Sequence, residues 1–387
     1  MDITAVSGHA QEIQKAVDLA STGDNVHIPA GTYNFYEAGE SWTPVEIPAG
    51  INIYGALSRR NDKGQVIEWE TVLLMPEEAP PNSIWFKYTI NDNLPLRFTD
   101  IKLVGFRYFN PESIRRYIAL KIFAPYRNYP VVGVLNFRVD HCNFQDIAGS
   151  AVNFGDESEY NRRVCNGVID HCRLVNSYGD PGYMDYENRT LDYGIGLRRW
   201  ASDTWNPDVW EVLGKYTYYT VVIENNYFTK WRHGAVTNDG FHQVFRYNVV
   251  EGGYGIGETD SHGSYAEGIH PYAVGTRALE VYGNIFKNPD TTWTNQPWAI
   301  NHRGGGGLFY DNILEGYYGL CHLNNDWGNY VPYCPKCHIY DTYIWNNILN
   351  GAYLISYNSD NVENVNYFLR TPNIEQDGWE YIPYTYP

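Results

Sequence analysis

No apolar run in the 387 residues reaches the roughly 18 needed to cross a bilayer as a helix. Positive charge is scarce: 28 Lys and Arg stand against 45 Asp and Glu, a net charge of −17. That balance argues against nucleic acid and against an anionic membrane as partners. It also disfavours a strongly anionic polymer unless a local basic patch overrides the overall field. Hairpin dipeptides are few, and no helix pattern separates the short strand-like segments. The opening MDITAVSG lacks the features of a signal peptide, so it reads as a cytoplasmic start or as a mature secreted chain with an added Met.

Aromatic residues are abundant, at 16% with 35 Tyr and 12 Trp. Tyr and Trp favour surfaces that are half wet and half packed, of which a sugar-binding cleft is one and the edge of a strand another. The core of the chain is a phrase repeated from Tyr219 to Asn325 and echoed on both sides. A β-branched or aromatic strand leads to an Asn, and two residues after that Asn comes a large apolar residue. A turn and a second short strand follow. The apolar landings are Phe144, Leu174, Phe228, Val250, Phe286, Leu314 and Leu349, spaced 30, 54, 22, 36, 28 and 35 residues apart. The 54 is either two turns or one turn with a long insert. Strand repeats at this spacing predict a stacked parallel solenoid, with an antiparallel sandwich or a propeller as the alternative. Asn before the turn suits a stack, since it tolerates left-handed backbone and can hydrogen-bond to its own copies.

The ends carry different signals. A strand at Ile3–Val6 precedes a polar turn at Ser7-Gly8, and residues 9–21 place Ile13, Ala16, Val17 and Ala20 on one helical face. A helix there would cover the open edge of the first coil. The run EIQKAVDLASTGDNVHIPAGTY (12–33), with IPAG returning at 47–50, resembles the N-terminal cap and first coils of the pectate-lyase-like parallel β-helix superfamily. The resemblance implies an all-β fold, a single-stranded right-handed parallel β-helix with an N-terminal capping α-helix. As one domain over 1–387 it would comprise a strand and cap at 1–25, inserted loops at 57–97 and 179–218, and a C-terminal cap or tail at 360–387. The superfamily holds lyases, hydrolases, esterases and adhesins, so the fold leaves activity open.

Chemistry is sought where second strands stack. Aligning AVTN (235–238), IGET (256–259), INHR (300–303), LCHL (320–323) and LISY (354–357) puts Thr237, Glu258, His302, His322 and Ser356 in one column. Asn238, Thr259 and Arg303 stand beside it. Asp239, Asp260, His262 and Glu267 lie just beyond, and Trp231, Arg232 and His233 precede the first of these strands. The phrases RHG, ETDSHG and AINHRGGGG also resemble β-helix proteins related to archaeal disaggregatase, a polysaccharide-depolymerising enzyme. That resemblance implies Arg232, His233, Asp260, His262 and Arg303 as a shared polar set.

Such a set suits cleavage of a polysaccharide. Hydrolysis needs an acid and a carboxylate facing each other across the bond, and Glu258, Asp260 and Asp239 are the candidates, with His233 and His262 as tuning or replacement groups. Two carboxylates ~5 Å apart at an effective dielectric of ~20 repel by about 3 kcal/mol, enough to keep one protonated near neutrality. Arg232, His302, Arg303 and Trp231 would hold the substrate, and Trp200 and Trp205, in the long Trp-rich loop, would stack on sugars. Hydrolysis is slightly preferred over β-elimination from a uronate, in which the same Arg and His residues would serve. A non-catalytic, trimeric glycan-binding adhesin is the third possibility. The expected partner is a polysaccharide or oligosaccharide, the oligomer a monomer or homotrimer, and the location extracellular.

Six Cys remain. The triplets Asp140-His141-Cys142 and Asp170-His171-Cys172 occur at equivalent repeat positions, which argues for stacking and against a site. Cys334 and Cys337 have CxxC spacing, and with Cys321 and His338 they could bind a structural zinc; a Cys321–Cys334 disulfide is the alternative. No cofactor is required by either chemistry, and calcium is conceivable only where acidic side chains cluster. Gly304–Gly307 reads as a tight coil corner.

Overall fold

A computed structural model describes residues 1–37, 42–76, 79–80, 83–90, 94–105, 117–123, 137–154, 166–177, 193–197, 213–217, 220–237, 241–252, 257–261, 276–288, 297–324, 338–357 and 361–383. Their strands form three long parallel sheets of 12, 9 and 10 strands, joined so that the chain visits each sheet once per coil. This is a parallel β-helix, and a parallel crossover of this kind is right-handed. One antiparallel hairpin, Arg59–Arg60 with Val66–Glu68, stands outside the stack.

The landing residues are the spine of the second sheet. Phe144, Leu174, Phe228, Val250, Phe286 and Leu314 pair in register, coil on coil. Leu174 pairs directly with Phe228, so the 54-residue gap is one turn with a long insert. All six are buried, because a single apolar column shared by every coil builds one continuous core.

The corner leading into that sheet explains both the Asn residues and the Asp-His-Cys triplets. Asn226, Asn248, Asn284, Asn312 and Asn347 form a hydrogen-bonded ladder in which each backbone N–H and amide donates to the next Asn Oδ1. Each Nδ2 also donates to a first-sheet carbonyl of the preceding coil: Ile169, Ile223, Phe245, Val281 and Phe309. Cys142 and Cys172 occupy the same ladder positions, their thiols directed at the Phe98 and Val139 carbonyls, both 3.7 Å away. The left-handed residue is not the ladder Asn, as the sequence suggested, but the one before it: His141, His171, Asn225, Tyr247, Asp311 and Asn346 all have φ between 52° and 56°. His141 and His171 each bond the preceding Asp at 2.6 Å, and their rings stack 5.1 Å apart. The triplets are therefore structural.

The capping helix is Ala10–Leu19, preceded by a strand at Asp2–Thr4. It buries Ile13, Ala16 and Val17 in the solenoid core. Residues 57–97 are not one inserted loop: Thr71–Leu74, Ile84–Thr89 and Leu96–Thr99 are regular coil strands, and the insertion reduces to the hairpin. Gly304–Gly307 is a tight corner only at its start: Arg303 and Gly304 turn the chain from third-sheet strand Trp298–His302 into first-sheet strand Gly305–Tyr310, where a Cβ on Gly306 would stand 2.8 Å from Leu213. The C-terminal residues add strand Tyr367–Phe368 to the first sheet, and Trp379 and Tyr381 pack with Leu213 and Tyr216 over that sheet's outer face.

Candidate active site

With the first sheet's outer face covered near its C-terminal end, the third sheet offers the polar wall. Strands His233–Thr237, Thr259–Ser261, Trp298–His302, Gly319–Leu323 and Tyr353–Tyr357 stack there in order. Their true register differs from the sequence alignment. Val236, Asp260, Asn301, His322 and Ser356 form one column, and Thr237, Ser261, His302 and Leu323 the next. Thr237 and His302 do share a column. Glu258 joins neither, and His322 and Ser356 belong beside Asp260. Adjacent columns face opposite sides of a strand, so an alignment slip of one residue moves a side chain from wall to core.

Asp260 is the hub of the wall. Arg303 donates to both of its oxygens, through Nε at 3.0 Å and through Nη2, and Asn301 Nδ2 donates to Oδ1 at 3.0 Å. His233 Nε2 lies 3.8 Å from Oδ2. On its other side, His233 Nδ1 is 2.5 Å from the Gly257 carbonyl. A carbonyl can only accept, so Nδ1 carries the proton and neutral His233 presents a bare Nε2. Burial drives this imidazole down to about 4; Asp260 pulls it up, while Arg232 and Arg303 push it further down. Among the described residues Arg232 forms no ion pair, which leaves a half-buried cation beside a neutral base. Tyr193 supports His233 with a tilted ring 5.7 Å away.

Several expected site residues lie elsewhere. Glu258 is buried, its Oε1 accepting from Tyr317 at 2.5 Å, and Tyr317 packs edge-on against core Phe286. Glu258 and Asp260 therefore do not make a carboxylate pair. His302 is a satisfied interior residue: Ser261 Oγ is 2.9 Å from Nδ1, Thr342 Oγ1 is 3.1 Å from Nε2, and Phe309 packs edge-on. Burial lowers its imidazole to about 3. Its role is internal, since Ser261 Oγ also accepts the Arg303 N–H at 3.1 Å. Trp231 is a core residue whose indole donates to the Leu174 carbonyl at 2.9 Å, not a sugar wall.

Of the expected zinc set, only Cys321 and His338 fall among the described residues. Cys321 is a free thiol packed in the core, in register with Ile300 and Ile355, and burial raises it well above its ordinary value. An inward thiol cannot reach a site outside the coil. His338 has its carbonyl bound by Gly305 N–H, and no group of three metal-ligating side chains occurs among the described residues. Asp239, His262, Trp200, Trp205, Cys334 and Cys337 lie outside the described residues.

Residues that the sequence did not single out are Asn301, Tyr193, Ser261 and Tyr317. Asn301 was detectable in principle, since correct register sets it directly over Asp260.

The architecture is a parallel β-helix. No protein-family model matches the chain, and no curated protein does. Among solved structures it is similar to an alginate lyase from Paenibacillus sp. str. FPU-7, at 11% identity and a TM-score of 0.42, covering 92% of this chain and 98% of that one. It is similar to PfbA, a surface adhesin of Streptococcus pneumoniae, at 13% identity and a TM-score of 0.49, covering 94% and 81%. A third is the catalytic unit of an α-1,3-glucanase from Streptomyces thermodiastaticus strain HF3-3, at 14% identity and a TM-score of 0.48, covering 89% of this chain and 58% of that one. The likeness is one of fold.

Proposed function

We propose that the chain cleaves a glycosidic bond of a polysaccharide at the outer face of the third sheet, and that the reaction is β-elimination from a uronate. The observation that carries this is His233, a buried neutral imidazole with Nδ1–H committed to Gly257 and an unprotonated Nε2 3.8 Å from Asp260 Oδ2, beside Arg232 and Arg303. Nε2 takes the proton α to the uronate carboxylate. The released electron pair forms the ring double bond, the bond to the leaving oxygen breaks, and that oxygen gains a proton from solvent. Arg232 would face the substrate carboxylate, lowering the cost of charge build-up on it. Asp260, clamped by Arg303 and Asn301, orients that surface and keeps a negative charge near the imidazolium as it forms.

Hydrolysis is the weaker alternative. It requires two carboxyl groups facing each other across the scissile bond; of the candidates, Glu258 is turned to Tyr317, and Asp239 would have to be the partner of Asp260. The test is incubation with a panel of uronate-containing and neutral polysaccharides, following reducing ends and near-ultraviolet absorbance together. Elimination raises both in step, because each cut leaves an unsaturated end. Reducing ends without absorbance would establish hydrolysis, and neither signal would remove the enzyme reading.

A further inference from the structure

The same outer face continues past Asp260 into a row of aromatic rings that the reaction does not use. Trp298, Gly319 and Tyr353 are in register on three successive strands. The Trp298 indole lies across Gly319, where a Cβ would come within 2.1 Å of Cζ3. Tyr318 bridges the gap, its ring 5.4 Å from Trp298 and 4.9 Å from Tyr353. The row ends in the open: Tyr353 is 61% exposed and Tyr357, on the same strand, 55%. Beside it runs the hydrogen-bonding column Asn301, His322 and Ser356, with His322 Nδ1 2.9 Å from Ser356 Oγ and the His322 ring 5.9 Å from Trp298.

We infer that Tyr353 and Tyr318, backed by the buried Trp298, form a glycan-binding platform that seats a pyranose unit of the substrate at a distance from the cleaved bond. This rests on the proposed polysaccharide reading and adds to it a position and a length. Aromatic rings packed edge-on and tilted beside polar side chains match a sugar, which presents an apolar C–H face and a rim of hydroxyls. The strand Tyr353–Tyr357 lies three spacings from Thr259–Ser261, about 14 Å at ~4.8 Å each. Only a substrate with several units on that side of the scissile bond reaches both, so the platform makes affinity depend on chain length without touching the chemical step.

The experiment compares Tyr353→Ala and Tyr353→Phe with the unmodified protein on polymer and on short oligosaccharides, together with retention in affinity gels containing the polysaccharides. For Tyr353→Ala the expected result is a KM for polymer raised roughly three- to tenfold, with kcat unchanged and short substrates unaffected. Tyr353→Phe, which keeps the ring, should behave like the unmodified protein. An equal effect on long and short substrates, no effect on either, or an altered oligomeric mass in Tyr353→Ala would overturn the platform. Affinity gels separate it from the reaction. Polymer retention that weakens in Tyr353→Ala, without any cleavage, upholds the platform and overturns the lyase. If the unmodified protein is not retained at all, the platform fails.

Discussion

Replacing Asn284 by Ala tests the idea that the coils are locked at the Asn corner as well as by the core. Asn284 has no exposed surface. Its Oδ1 accepts from Asn248 N and Nδ2 at 2.9 and 3.1 Å, and its Nδ2 donates to the Phe245 carbonyl at 2.9 Å and to Asn312 Oδ1 at 3.0 Å. The substitution leaves the buried Asn248 N–H without this acceptor and strips this donor from the Phe245 carbonyl. At about 1–3 kcal/mol for each buried group so stranded, the expected loss is about 4 kcal/mol. Asn347, half-buried at the ladder's end, can exchange its lost partners for water, so Asn347→Ala should cost only about 1–2 kcal/mol. Asn284→Asp adds a sign. It keeps the acceptor but points a carboxylate at the Phe245 carbonyl, so it should be worse than Ala at pH 7. Acidification should partly restore it, since a protonated carboxyl can donate. Urea titrations with unchanged m-values provide the readout. Equal losses for Asn284→Ala and Asn347→Ala, or a larger one for Asn347, would refute the ladder as a source of stability.

Arg303→Ala leaves buried Asp260 without its fork, so stability should fall by about 3–5 kcal/mol and activity should vanish, with Arg303→Lys recovering part of the first and little of the second; melting curves and turnover check this. Glu258→Gln should cost about 1 kcal/mol through the Tyr317 bond yet retain turnover, which a catalytic carboxylate would not allow. Both buried imidazoles bear on pH. Folding depresses His233 to about 4 and His302 to about 3, so the unfolded chain takes up these protons first. Their contribution is complete above pH ~6.5 and drains as pH falls toward 4 and then 3, about 3 kcal/mol for His233 alone; denaturation midpoints between pH 7.5 and 4 should show it, and His233→Gln should flatten the slope. Cys321→Val should change stability by less than about 1.5 kcal/mol, as a core swap does; urea titration checks it.

The repeat, the single core, the capping helix and the stacked Asp-His-Cys triplets were legible in the order of residues alone. Each depends on a local rule: an apolar landing two places after an Asn, a helical stripe at Ile13, Ala16 and Val17, or the same triplet at the same point of successive coils. Of the polar set implied by the resemblance, His233 and Arg303 lie beside Asp260. What sequence could not decide was facing. Glu258 and Asp260 are two residues apart and a strict alternation would put them on one side, yet Glu258 precedes strand Thr259–Ser261, just after Gly257 at φ 87°, and meets Tyr317 while Asp260 meets Arg303. His302, Trp231 and Cys321 carry the right chemistry for a site but turn into the core, where Thr342, the Leu174 carbonyl and neighbouring Ile residues receive them. Side-chain direction in a solenoid is set by register between coils and by the bend at each corner. Both are properties of strands separated by loops of unequal length, so only the assembled stack determines them.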